Sequence, residues 1–166
     1  KYKLSVRCII MQRFQKYFSL LFLLAFSFGA SAWGGFVTSI YKEPWYSTLV
    51  KPSFNPPDYI FPTIWVILYV AMAFAVWLIW INPKNKEKII YIYFVHLLVN
   101  ASWSVVFFAL HQIFLALLVI VAIILLVVWL IKLYYPINKL SAALMLPYLV
   151  WLGFAFALNL YILLLN

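Results

Sequence analysis

The sequence predicts an all-α integral membrane protein, a bundle of five transmembrane helices, and three observations carry that prediction. Of 166 residues, 69% are hydrophobic and 9% charged, a composition that excludes a water-facing domain. Five apolar runs, residues 18–39, 59–81, 89–110, 113–133 and 142–165, each reach the ~20 residues with which a helix crosses the ~30 Å hydrocarbon core. Basic residues are also segregated. With spans alternating in direction, one side holds Lys1, Lys3, Arg7, Arg13, Lys16, Lys84, Lys86, Lys88, Lys132 and Lys139, and the other only Lys42 and Lys51. The positive-inside tendency then puts the N-terminus on the cytoplasmic face and the loop after span one opposite.

Residues 1–17 read as a basic N-terminal segment preceding a single domain over 18–165. Met11 offers an alternative start that would leave residues 1–10 outside the native product. Cys8, the lone cysteine, excludes an internal disulfide. In span one, the pairs Ala30/Gly34 and Ser31/Gly35 have the spacing that lets helices approach closely. A rival reading makes Arg13, Lys16, the apolar run 17–28 and Ala30-Ser31-Ala32 a secretory signal whose cleavage removes residues 1–32. The apolar character persisting through Trp33, Phe36, Val37 and Ile40 favours a retained helix.

The loop over residues 41–58 is the main polar interruption. Pro44, Pro52, Pro56 and Pro57, with Pro62 just beyond, each fix φ and lack an N–H, so no regular helix or central strand is expected across it. Trp45, Tyr46 and Phe54 give this stiff loop apolar surface that a solvated linker does not need. The later connections, 82–88, 111–112 and 134–141, are short, which implies antiparallel neighbours in one bundle. A β-barrel is excluded because the runs are apolar on every side instead of alternating.

The chemistry available to the spans is limited. The carboxylates Glu43, Asp58 and Glu87 all lie outside them, so the acidic relay of an ion-coupled transporter is missing. His96 and His111 are too few for a metal site, and neither a nucleophile elbow nor an acid-oriented histidine is present. No basic, aromatic-interleaved surface points to nucleic acid. Trp77, Trp80 and Trp129 near span ends fit an interfacial belt. At depth, however, three stripes emerge: Trp65, Tyr69 and Met72 in span two; His96, Asn100, Trp103 and Phe107 in span three; Tyr148, Trp151, Ala155 and Asn159 in span five. Helical spacing puts each set on one face. Such stripes suit a pocket for a large, flat, mostly apolar ligand. The alternative reading makes Asn100 and Asn159 interhelical glue, the tryptophans packing, and His96 a satisfied core histidine.

The loop motif Trp45-Tyr46-x-x-Leu49-x-Lys51-Pro52-x-Phe54-x-Pro56-Pro57, followed by Pro62-x-x-Trp65-x-x-x-Tyr69-x-x-Met72, resembles the translocator protein family, also called tryptophan-rich sensory (TspO/MBR) proteins. Asn100-x-x-Trp103 with Phe107-Phe108, and Pro147-Tyr148-x-x-Trp151-x-x-Phe154-Ala155-x-x-Leu158-Asn159, extend the resemblance to Asn159. It implies a five-helix bundle, usually a homodimer, that needs no cofactor and binds tetrapyrroles such as protoporphyrin and haem, benzodiazepine-type ligands and, in animals, cholesterol. By the same resemblance Trp65 and Trp151 match tryptophans linked to porphyrin binding and its light-dependent breakdown. Tyr69, Asn100, Trp103, Phe107 and Ala155 match other pocket positions, and Trp45, Tyr46, Pro56 and Pro57 match a loop that covers the site. Ala73-Phe74 departs from the family's Gly-Tyr, and no basic residue follows Lys139 to complete the animal cholesterol motif. The expected function is a membrane tetrapyrrole-binding protein with a sensory, regulatory or trafficking role. A light-dependent porphyrin-degrading enzyme using Trp65 or Trp151 and a sterol or lipid carrier are the alternatives, and a bacterial envelope membrane or a mitochondrial outer membrane is compatible with any of them.

Overall fold

The computed structural model describes residues 2–82 and 86–166, and only the backbone of residues 2–14. Lys1 and Lys84 of the basic set lie outside the described residues, and so do the side chains of Lys3, Arg7, Cys8 and Arg13. Helices α1 (Tyr2–Tyr41), α2 (Trp45–Thr48), α3 (Ile60–Trp80), α4 (Glu87–Ser104), α5 (Ile113–Tyr134), α6 (Lys139–Leu144) and α7 (Leu146–Leu165) follow one another, and α4 runs on into a π-helical turn, Val105–Ala109. Among the described residues, five stretches are long and apolar enough to cross a membrane: Gln15–Tyr41, Ile60–Trp80, Glu87–Ala109, Ile113–Tyr134 and Lys139–Leu165. The 21 residues of α3 rise about 31 Å, the thickness of a bilayer core. The protein is a multi-pass integral membrane protein.

The spans close into a ring: α1 packs on α3 and α4, α4 on α5, α5 on α7, and α3 on α6 and α7. Large apolar side chains such as Leu98, Val150 and Leu164 point outward and are 72–75% exposed, as lipid-facing residues must be. Lipid is as apolar as leucine, so close packing and interhelical hydrogen bonds must hold the ring. Ser27 Oγ and the Tyr93 hydroxyl, 2.6 Å apart, join α1 to α4. Trp77 Nε1–H donates to the Lys16 carbonyl at 2.9 Å, so this belt tryptophan also ties α3 to α1. A Cβ on Gly34 would lie 3.1 Å from Ser104 Oγ, which makes Gly34 a point of close α1–α4 approach.

The structure differs from the sequence reading at three places. First, the last turn of span three is π-helical: Leu110 N–H donates to Val105 O at 2.9 Å and Gln112 N–H to Val106 O at 3.0 Å, with His111 in the left-handed region at φ 55° to reverse the chain. Second, span five begins at Lys139, three residues earlier than expected, and is broken at Met145. The early start follows from Asn138, whose Oδ1 accepts from the N–H groups of Leu140 and Ser141. The break follows from Pro147, which has no N–H and whose ring crowds the carbonyl four residues back. Third, the proline-rich loop does contain a helical turn, α2, directly after Pro44. Proline is tolerated at a helix start because first-turn N–H groups need no intrahelical partner, and Pro62 in the first turn of α3 obeys the same rule.

Candidate ligand site

The inward faces of α1, α3, α4, α5 and α7 leave a cavity of about 510 Å³ beneath the proline-rich loop, inside the range of small-molecule sites. Trp65 and Tyr69 from α3, Asn100 and Trp103 from α4, Phe107 from the π turn, and Trp151 and Ala155 from α7 all line it, with Asn159. Tyr69 lies about 14 Å along α3 from Ile60, near mid-membrane depth. The lower ends of the same stripes, Met72, His96 and Tyr148, are fully buried and sit below the cavity as packing.

Hydrogen bonds fix the floor. Tyr69 donates its hydroxyl to Asn100 Oδ1 at 2.5 Å, and Asn100 Nδ2 donates to the Tyr148 hydroxyl at 2.7 Å. With its oxygen accepting from Asn100, Tyr148 has its own proton to offer His96 Nε2, 3.0 Å away. Both asparagines therefore act as interhelical glue and as cavity lining at once. Asn159 accepts from Trp103 Nε1 at 3.3 Å and donates to the Ile113 carbonyl at 3.0 Å, linking α4, α5 and α7. That bond orients the Trp103 ring, which stacks on Phe107 at 5.0 Å and 16°.

The remaining walls are aromatic. Trp65 lies 5.5 Å from the Tyr69 ring and 6.1 Å from that of Tyr148. Trp151 meets Phe61 edge-on at 6.0 Å and tilts against Phe154 at 5.3 Å. Its Nε1–H is shielded from solvent and has no partner among the described residues. A buried donor left without an acceptor costs about 1–3 kcal/mol, and it belongs to a ring that lines the cavity.

Loop residues Lys42, Glu43, Tyr46 and Asp58 line the mouth. Tyr46 is buried, and its hydroxyl donates to Asn55 Oδ1 at 3.3 Å. Burial, and then the negative charge of Asp58, push its pKa above 10.0, so it stays a neutral phenol. Trp45, Pro56 and Pro57, expected over the site, do not line the cavity. Trp45 stacks on His111 at 4.3 Å and 17° and meets Phe107 edge-on at 5.3 Å, so it braces the wall from outside. The Pro57 carbonyl accepts from Ile60 N–H at 3.0 Å and starts α3, while Pro56 accepts from Asn55 Nδ2 at 3.2 Å. The loop is pinned further by Phe54, edge-on to Tyr161 at 5.2 Å. Asn166 clasps Val50, accepting from its N–H at 3.0 Å and donating to its carbonyl at 3.1 Å.

Sequence reasoning missed two walls, a minor one made by Ile120 and Ile123 of α5 and a larger one on α1. Ala30, Ser31, Gly34, Gly35 and Thr38 of α1 border the cavity, although their small size reads as helix contact. That reading holds for Gly34 and for Ala30, which packs against the core, whereas a Cβ on Gly35 would meet nothing within 4 Å. The signal was available in Ser31, Gly34, Gly35 and Thr38, whose spacing shares one helical face. Phe108 was missed as well and lines the cavity beside Phe107.

The TspO/MBR family model matches residues 21–165. The chain belongs to the TspO/MBR family. It is 36% identical over 149 residues to the tryptophan-rich protein TspO of Archaeoglobus fulgidus, covering 89% of this chain and 94% of the relative. It is 33% identical over 124 residues to the human translocator protein, covering 69% and 70%. To the tryptophan-rich sensory protein of Cereibacter sphaeroides it is 31% identical over 117 residues, covering 70% and 73%. Every cavity-lining residue of this TspO/MBR chain falls within the matched segment. Among its described residues no three His, Cys, Asp or Glu lie close enough to hold a metal ion. The site thus offers aromatic faces, amides and hydroxyls.

Proposed function

We propose that this TspO/MBR protein binds a tetrapyrrole, a porphyrin or haem, in the cavity beneath the loop, and does so in a sensory, regulatory or trafficking role. The observation that carries the reading is the arrangement of Trp65, Trp103, Phe107 and Trp151 around one cavity. Flat aromatic walls supply contact area to a planar ring system, and a few fixed polar groups set its orientation. The names of the relatives, translocator and sensory protein, describe roles that are not enzymatic. Light-dependent porphyrin degradation is the second reading. The contact of Trp65 with the Tyr69 and Tyr148 rings favours it, because an oxidised Trp65 would have two tyrosines within reach.

Titrating purified protein in lipid nanodiscs with protoporphyrin IX and then irradiating the complex tests both readings. A saturable spectral change that is stable to light supports binding alone, and bleaching to one defined product in the presence of oxygen supports catalysis. Absence of saturable binding contradicts both.

A further inference from the structure

The side of the membrane that carries the loop has two basic residues in the whole sequence, Lys42 and Lys51, and the fold gathers both at one tyrosine. Their ammonium groups lie 5.3 Å and 4.3 Å from the ring centroid of Tyr46, a residue that lines the cavity mouth. Lys42 lines that mouth itself and forms an ion pair with Asp58, whose side chain is 65% exposed. This is the only ion pair among the described residues, and Lys51 has no carboxylate partner there. Two cations meet at one ring on an otherwise cation-poor face, beside a cavity mouth that Asp58 and Glu43 also line, and they can take up negative charge where Asp58 gives way. An exposed carboxylate held by Lys42 shows which chemistry the ammonium accepts.

We propose that Lys42 and Lys51 are the specificity-determining residues that recognise the carboxylates of an amphipathic acid whose flat apolar body fills the cavity, and that Asp58 occupies Lys42 until such a ligand arrives. The proposal rests on the tetrapyrrole reading and adds to it that the acidic edge of the ring faces the loop. A ligand carboxylate replaces that of Asp58 at Lys42 and gains a second cation at Lys51, while the released Asp58 is already largely in water. Discrimination between an acid and its uncharged ester is then set at the mouth, separately from the stacking that holds the ring.

The test compares protoporphyrin IX with its dimethyl ester, titrated against full-length protein in phosphatidylcholine nanodiscs. For each variant the readout is the acid-to-ester affinity ratio relative to wild type, in which differences in ligand partitioning cancel. Lys42→Gln should lower that ratio by roughly tenfold, the scale of one charge-assisted hydrogen bond in a partly wet site. Lys51→Gln should lower it by less, and the double variant by more than either. Asp58→Asn should raise it by up to about fivefold, the range of an exposed ion pair. Ratios unchanged in the lysine variants would make these residues interfacial anchors and overturn the proposal while leaving the cavity reading intact. A parallel loss of acid and ester affinity would show a structural role and overturn it equally. Failure of both ligands to bind the wild type would instead remove the tetrapyrrole reading itself.

Discussion

The Tyr148 hydroxyl, enclosed by α4 and α7, stands between Asn100 and His96 and has no water to fall back on. Each group in the chain Tyr69, Asn100, Tyr148, His96 depends on the next, because a buried polar atom that loses its partner bears the desolvation cost alone. Asn100→Leu strands the Tyr69 hydroxyl, leaves Tyr148 only its bond to His96, and should destabilise the protein by about 1–3 kcal/mol. Adding Tyr69→Phe should recover part of that loss, since one stranded group is then gone; thermal unfolding in one detergent compares the three proteins. Trp151 presents the opposite case, a donor without an acceptor. Trp151→Phe keeps the ring contacts with Phe61 and Phe154 and removes only the N–H and some area. The fold should survive and protoporphyrin affinity should fall roughly 3- to 10-fold, as for the loss of one hydrogen bond. Undiminished affinity in a titration would make Trp151 a packing residue.

At the scale of the elements, helix existence was legible because hydropathy sets it, and all five expected spans agree with the structure to within three residues at either end. What the sequence did not disclose were the local backbone departures. The π turn at Val105–Ala109 has no propensity signature and arises where the chain must reverse within Leu110–Gln112. The break at Met145 was readable from Pro147, but continuous apolarity across the break concealed it. The stripes gave the cavity walls on α3, α4 and α7 because aromatic and amide residues at depth stand out. They did not give the α1 wall, where small residues carry no such mark. The capping of α6 is an element-scale claim with its own test: Asn138→Ala removes both Oδ1 bonds and should cost about 1 kcal/mol in thermal unfolding. Asn166→Ala frees the loop from the end of α7. It should speed protoporphyrin release with little effect on capture, because a looser loop lowers the barrier to leaving, and stopped-flow displacement separates the two rates.

For the whole molecule, the ring of helices is closed by contacts that lipid cannot replace, and one end of the ring is covered by the docked loop. The ten-to-two distribution of basic residues predicts the orientation of that end, away from the cytoplasm. In a Cys8→Ser background, cysteines at the exposed positions Ser53 and Tyr135 should be labelled by an impermeant maleimide from opposite faces. Labelling from one face would contradict the five-span topology. The central claim is that the cavity bounded by α1, α3, α4, α5 and α7 is where a planar ligand is held, and Ala155 is the smallest side chain that α7 places in its wall. Ala155→Phe fills that space from a position where the native side chain is only half-buried. The most direct measurement is therefore the protoporphyrin IX affinity of Ala155→Phe in nanodiscs, with thermal unfolding as the control for folding. The account predicts at least a roughly tenfold loss, about 1.4 kcal/mol, at an unfolding temperature close to that of the wild type; wild-type affinity in the well-folded variant would contradict it.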